Sequence, residues 1–227
     1  MHNFQDVWLV MPVFNEETVI SDVVAHVLET FPNVVCVDDG SRDGSARRIL
    51  DSGAHLLRHP INLGQGAALQ TGLSYALAQP GAEYFVTFDA DGQHRVEDVV
   101  RMLTVLRAKE ADVVLGSRFL ESAVDVPPLK RAVLRTVALF SRPSRKLGLT
   151  DAHNGLRALN RSVAEKIDIT QAGMAHASEL VDFMARSDLR VREIPVTIDY
   201  TEYSLSKGQS LLNGINIVFD LALRRRG

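Results

Sequence analysis

Short apolar runs alternate with stretches of helical periodicity through the first half of the chain. Val7 to Val13 (VWLVMPV) reads as a buried strand, stopped by the polar Asn15-Glu16-Glu17. Thr18 to Thr30 places Val19, Ile20, Val23, Val24, Val27 and Leu28 on one helical face. Val34 to Val37 predicts a second strand ending in Asp38-Asp39-Gly40-Ser41, and Asp43-Gly44 a turn before a short helix over Ala46 to Ser52. A weaker strand follows at Ala54 to Arg58, and the loop Asn62-Leu63-Gly64-Gln65-Gly66 opens a helix from Ala67 to Ala78. Tyr84 to Phe88 is a further strand, ending abruptly in Asp89-Ala90-Asp91-Gly92; a helix over Val96 to Lys109 and a strand at Asp112 to Leu115 complete the series.

Strands and helices in strict alternation predict an α/β fold, with a mostly parallel sheet covered by helices on both faces. Ligands of such sheets bind beyond the carboxyl ends of the strands. The loops after Val13, Val37, Phe88 and Leu115 carry Asn15, Glu16, Asp38, Asp39, Asp89, Asp91, Ser117 and Arg118. Those residues are therefore expected along one edge.

After Phe119 the pattern changes. Pro127-Pro128 breaks the chain, and Val126 to Thr150 holds six basic residues and no acidic one. Leu129 to Phe140 reads as a basic amphipathic helix, which suits a membrane surface, a partner, or an ordinary solvated face. Asp151 to Arg157 (DAHNGLR) is a polar loop leading to a small element at Ala158-Leu159. Ala175 to Arg186 predicts a helix bearing Glu179 and Asp182, and Val191 to Tyr200, with Pro195 inside it, an edge strand. A polar loop from Ser204 to Gln209 holds Lys207; Leu211 to Leu223 is apolar but for Asn213, Asn216 and Asp220, and ends in Arg224-Arg225-Arg226. Cations there suit a helix carboxyl terminus or anionic lipid head groups.

At 227 residues and 46% apolar composition the chain can bury a sizeable core, and a net charge of −3 does not point to nucleic acid. Cys36 is the only cysteine, so no internal disulfide forms; a small buried thiol is the expected role. No segment reaches about 18 uninterrupted apolar residues, so the chain is expected to be cytoplasmic, with peripheral membrane contact allowed.

The chemistry concentrates at Asp89 and Asp91. Two carboxylates at a strand end, followed by Gln93 and His94, can share one hard divalent cation whose remaining positions go to substrate phosphate oxygens and water. The plainer alternative is a helix cap, for which one Asp suffices.

In these motifs the chain resembles the family 2 glycosyltransferases of the GT-A fold, and within them the polyprenyl-phosphate and dolichyl-phosphate mannosyl- and glucosyltransferases. The matching residues are MPVFNEE at Met11 to Glu17, VDDGSRDGS at Val37 to Ser45, NLGQGAAL at Asn62 to Leu69, FDADGQH at Phe88 to His94 and GSRF at Gly116 to Phe119. The resemblance implies a single GT-A domain over 1–227, with a nucleotide-sugar half at 1–119 and an acceptor half at 120–227. It implies that Pro12, Phe14 and Glu16 line the nucleotide pocket and that Asp39 hydrogen-bonds the base. Asp89, Ala90 and Asp91 would form the DxD motif at the donor diphosphate, with Mg²⁺ or Mn²⁺ held by Asp89 and Asp91 and assisted by Gln93. Arg118 and Lys207 would lie near the diphosphate or an acceptor phosphate. Where the lipid-phosphate enzymes carry a loop like D-x-T-S-G-F-R, this chain has Asp151 to Arg157; they also carry an Arg shortly before the late Lys, which is absent ahead of Lys207.

The implied reaction is an inverting displacement on a nucleotide-diphosphate sugar, GDP-mannose or a UDP-hexose, with polyprenyl phosphate as acceptor. The alternative acceptor is a hydroxyl of a glycan or small molecule. That one needs a general base, for which Asp151 and Glu179 are the candidates. Two other readings remain: a haloacid-dehalogenase-type phosphohydrolase, whose aspartate pair normally follows the first strand, and a nucleotide-sugar-binding module without turnover.

Overall fold

The structure, a computed structural model, describes residues 4–120, 142–173 and 175–199. The helix expected at Leu129 to Phe140, Lys207, the apolar stretch Leu211 to Leu223 and Arg224 to Arg226 lie outside them. Strands β1 (Val7–Val13), β2 (Val34–Asp38), β3 (His55–Arg58), β4 (Tyr84–Thr87) and β5 (Val113–Ser117) alternate with α1 (Ile20–Leu28), α2 (Ser45–Ser52), α3 (Gln65–Leu77) and α4 (Val96–Arg107). Then come α5 (Arg142–Leu147), β6 (Arg157–Asn160), α6 (Arg161–Ala164), α7 (His176–Arg186) and β7 (Val191–Pro195).

The seven strands form one sheet in the order β3-β2-β1-β4-β6-β5-β7. All neighbours are parallel except β6, which runs antiparallel to both β4 and β5. The continuous apolar runs follow from burial on both faces. Val7, Leu9, Met11 and Val13 point into one core layer with α1 and α4 residues such as Val24, Val99 and Leu103. Trp8 and Val10 point into the other, with Leu69 and Leu73 of α3 and Leu180 and Met184 of α7. Pro12, which cannot donate to a ladder, pairs with Val37 of β2 and lies past the end of the β4 pairing at Val10. Cys36 is buried in the first layer, and burial pushes its thiol up to about 12.

Several boundaries shift. β4 ends at Thr87 rather than Phe88, although the Phe88 amide still donates to Val10 O of β1 at 3.0 Å. The edge strand expected to reach Tyr200 stops at Pro195, after which Asp98 accepts the amide of Thr197 and fixes the next residues against α4. Ser117, expected in a loop, is the last residue of β5. The element at Ala158-Leu159 is a strand in the middle of the sheet; its short apolar content does not announce a central position.

Helix α3 lies close on the sheet because Gly72 has no side chain: a Cβ there would stand 2.4 Å from Val10 Cγ1 and 3.1 Å from Val37 Cγ2. Gly72→Val is expected to destabilise the protein by about 3 kcal/mol through overpacking, read as a lower midpoint of urea unfolding with an unchanged slope.

Candidate active site

The loops after β1 and β2 are built as one unit. Asn15 adopts a left-handed conformation (φ 55°), which Asn tolerates better than most residues. Its N–H donates to Ser41 Oγ (2.9 Å), and its Oδ1 accepts from the Arg42 amide (3.0 Å). The Glu16 amide donates to Ser45 Oγ (2.8 Å), the Glu17 amide to Asp43 Oδ2 (3.1 Å), and the Gly44 amide to Glu17 Oε2 (2.9 Å). Burial opposes ionisation of Asp43, but hydrogen bonds from Ser45 and the amide of Glu17 outweigh it and hold the carboxyl below its usual range. Within this unit Pro12 and Glu16 are half-buried and Phe14 is exposed.

Asp39 closes the next loop onto this one. Its oxygens accept the amides of Leu63 (2.8 Å) and Gly64 (2.7 Å), and its Oδ1 also meets His59 Nδ1 at 2.7 Å. His59 Nε2 continues to Thr71 Oγ1 at 3.0 Å. The neighbouring Gly40 has φ +73° and leaves room for Ile61, whose carbonyl carbon would be 2.5 Å from a Cβ. The residue expected to meet the base is thus also the clasp of the 59–64 loop. His59 has no sequence signal beyond being a polar residue before Pro60.

The acidic pair differs sharply between its members. Asp89 accepts from Gln65 Nε2 on Oδ1 (3.2 Å) and pairs with His94 Nε2 on Oδ2 (3.1 Å). Gly155 packs directly on this carboxylate: a Cβ there would lie 2.2 Å from Asp89 Oδ2. Burial pushes Asp89 up, yet His94, together with the charges of Arg157 and His176, overcomes it and holds the carboxyl below its usual range. Among the described residues Asp91 accepts only the Gln93 amide (3.1 Å). Burial, and then the Asp89 charge, push it up to about 6, with Glu16 adding to the rise. Ala90 is buried in the core between them, and the side chain of Gln93 is buried beside them.

Across the edge, Arg118 forms a two-pronged pair with Asp151: Nε to Oδ2 at 2.6 Å and Nη2 to Oδ1 at 2.7 Å. Burial opposes the Asp151 charge, but the Arg118 guanidinium prevails and holds the carboxyl low. Glu193 of β7 fixes this loop by accepting the amides of Thr150 (2.8 Å) and Asp151 (2.9 Å). Glu179 accepts from the amides of Thr170 (3.2 Å) and Gln171 (3.0 Å) and holds the 170–171 loop. The two carboxylates weighed as general bases are therefore both engaged in structural bonds.

Arg157, to which the sequence motifs give no role, links the two sides. Because β6 is reversed, its first residue lies at the carboxyl edge, opposite Thr87 of β4 and Leu115 of β5. The side chain is buried between the charges of Asp89 and Asp151, its Nη1 has no hydrogen-bond partner among the described residues, and burial lowers its pKa. Its signal in the sequence is the last position of DAHNGLR, the counterpart of the Arg in D-x-T-S-G-F-R.

Among the described residues no group of three His, Cys, Asp or Glu is placed to hold a metal alone. Two carboxylates, one of them pushed up by burial and by the charge of the other, fit a hard divalent cation, a kind of ion that commonly completes its shell with substrate phosphate oxygens and water.

The family model described as glycosyl transferase family 2 matches residues 8–168. The chain is 31% identical to the polyprenol monophosphomannose synthase of Mycolicibacterium smegmatis, over 92% of this chain and 82% of that one. It is 26% identical to the UDP-N-acetylglucosamine–dolichyl-phosphate N-acetylglucosaminyltransferase of Methanococcus voltae, over 97% and 96%. The structure superposes on glucosyl-3-phosphoglycerate synthase from Mycobacterium tuberculosis, solved with Mn²⁺ and UDP-glucose, with a TM-score of 0.71 at 18% identity, covering 97% of this chain and 79% of that one. At that identity the likeness is one of fold, and it is the GT-A arrangement expected from the sequence.

The raised Asp91 has a measurable consequence. An unfolded Asp ionises near pH 4, whereas Asp91 in the fold does so at about 6. Between those values the unfolded chain gives up its proton first, so without a cation stability falls as pH rises through the window and stays lower above it. Discounted for partial exposure, the penalty is on the order of 1 kcal/mol. Asp91→Asn is expected to melt about 2–4 °C above the wild type in EDTA near neutral pH. The difference should vanish toward pH about 4, as followed by thermal unfolding.

Proposed function

The chain belongs to glycosyl transferase family 2, and from that membership we propose that it transfers a hexose from a nucleotide-diphosphate sugar to a polyprenyl phosphate. The observation that carries the donor side is the acidic pair at the end of β4, with Asp89 held by the protein and Asp91 left with excess charge. Asp89, Asp91 and the buried Gln93 would hold Mg²⁺ or Mn²⁺, which when bound offsets charge on the departing diphosphate. Pro12, Phe14, Glu16 and Asp39 would receive the nucleoside, and Asp151 would aim Arg118 at phosphate oxygens. Lys207 is assigned to the same anionic site on the resemblance alone.

The acceptor assignment follows the two relatives, one a polyprenol monophosphomannose synthase and the other a dolichyl-phosphate N-acetylglucosaminyltransferase. The site chemistry supports it. An ionised phosphate oxygen attacks the anomeric carbon as the bond to the donor oxygen breaks, the diphosphate leaves with the electron pair, and the configuration inverts. No proton has to move. A hydroxyl acceptor would need a base, and Asp151 and Glu179 are committed elsewhere. His153, the histidine of the Asp151 loop, is pushed down to about 4 by burial and by Arg157, too weak for that task.

Among the described residues no helix is long and apolar enough to cross a membrane. Contact with a membrane-borne acceptor is assigned to the basic stretch from Lys130 to Lys146 and to the last predicted helix, Leu211 to Leu223 with Arg224 to Arg226 after it, whose cations suit anionic lipid.

The test is a transfer assay with labelled GDP-mannose, UDP-glucose or UDP-N-acetylglucosamine, with Mn²⁺ or Mg²⁺ and with or without short-chain polyprenyl phosphate. Metal-dependent entry of label into the lipid phase is expected with one donor. Asp91→Ala should abolish that transfer while leaving the thermal unfolding transition cooperative. Label on a soluble glycan only would move the acceptor to a hydroxyl. Unimpaired transfer by Asp91→Ala would remove the acidic pair from the mechanism.

A further inference from the structure

Two side chains from separate motifs meet the same carboxylate, and the proposed reaction assigns neither a role. Gln65 opens α3, and its Nε2 donates to Asp89 Oδ1 at 3.2 Å. His94 follows the acidic loop, and its Nε2 meets Asp89 Oδ2 at 3.1 Å. Gly155 walls off the remaining side, since any Cβ would stand 2.2 Å from Oδ2. We propose that Gln65 and His94 are positioning residues that tie down both oxygens of Asp89, so that the carboxylate is a fixed post against which Asp91 and the diphosphate seat the cation. The inference rests on the cation-binding reading of the acidic pair.

His94 supports this role by what it gives up. Its ring is buried edge-on against Phe88 (centroids 5.5 Å apart), and its Nδ1 has no hydrogen-bond partner among the described residues. An unsatisfied buried nitrogen costs free energy, which an apolar residue packed on Phe88 would avoid. The compensating contact is the one to Asp89. An ionised carboxylate has no proton to give, so His94 Nε2 carries it and donates. Gln65 is held in turn by its surroundings: the Gly66 amide donates to Ala172 O at 2.7 Å, and a Cβ on Gly66 would meet Gln171 O at 2.0 Å. Since Glu179 fixes Gln171, the clamp reaches Asp89 from the 170–172 loop as well as from α3.

Groups that orient metal ligands typically account for roughly 10- to 100-fold in metal affinity or activity. The experiment is a Mn²⁺ titration followed by electron paramagnetic resonance, with UDP and separately GDP present, on the wild type, Asp91→Ala, His94→Leu, His94→Gln and Gln65→Leu. Thermal unfolding is followed in parallel. His94→Leu and Gln65→Leu are expected to weaken Mn²⁺ binding about tenfold or more. His94→Gln, which restores an N–H donor, should recover most of it. In the transfer assay the two Leu variants should lose kcat, with the KM for acceptor changed little. If Gln65→Leu and His94→Leu fold and bind Mn²⁺ like the wild type, the clamp is overturned while the acidic pair stands. If His94→Leu does not fold, Gln65→Leu decides by the same criterion. If the wild type itself binds no Mn²⁺ with either nucleotide, the cation reading fails and the clamp with it.

Discussion

Two half-buried carboxylates held together at a strand end do not both ionise readily unless positive charge or donated hydrogen bonds offset them. The surroundings of Asp89 and Asp91 answer that constraint unequally. Asp89 receives Gln65, His94 and the nearby charges of Arg157 and His176, and it stays ionised. Asp91 receives one backbone amide among the described residues, and burial together with the Asp89 charge leaves it at about 6. The asymmetry separates a carboxylate bonded through both oxygens from one that accepts a single amide among the described residues.

The rest of the edge is rigid for a related reason. Carboxylates that would repel one another are used as acceptors for backbone amides: Asp38 for Ser41, Asp39 for Leu63 and Gly64, Asp43 for Glu17 and Ser45, Glu193 for Thr150 and Asp151. Each bond satisfies a loop donor and spreads the negative charge over peptide dipoles. The loops after β1, β2 and β3 are thereby joined to one another rather than hanging independently from the sheet. Preorganised donors of this kind cost no reorganisation when charge develops in a transition state.

The reversed strand β6 joins the side of the edge that holds Asp89 and Asp91 to the side that holds Arg118 and Asp151. A sixth parallel strand would have brought its last residue to this edge; the antiparallel strand brings its first, Arg157, together with the loop Asp151 to Gly155 that precedes it. One short segment thus supplies the wall behind Asp89, the partner of Arg118 and the buried guanidinium between them.

Most of this architecture is written in local pattern. Apolar runs such as Val7 to Val13 announce strands buried on both faces, helical spacing announces the covering helices, and the parallel alternation implies which edge collects Glu16, Asp39, Asp89, Asp91 and Arg118. The paired aspartates before Gly92 and Gln93 suggest their chemistry without any coordinates. What periodicity reports, however, is the face on which a residue is buried, not the strand that lies beside it. The direction and central place of β6 were therefore decided by the sheet, since Ala158 and Leu159 alone carry too little apolar pattern to reveal them. The same holds for the contacts of Gln65, Asp39 and Gly155, which join residues distant in the chain and leave no local trace. Asp151 shows the limit most plainly: an acid in a polar loop looks available as a base, and only the folded chain puts Arg118 against both of its oxygens.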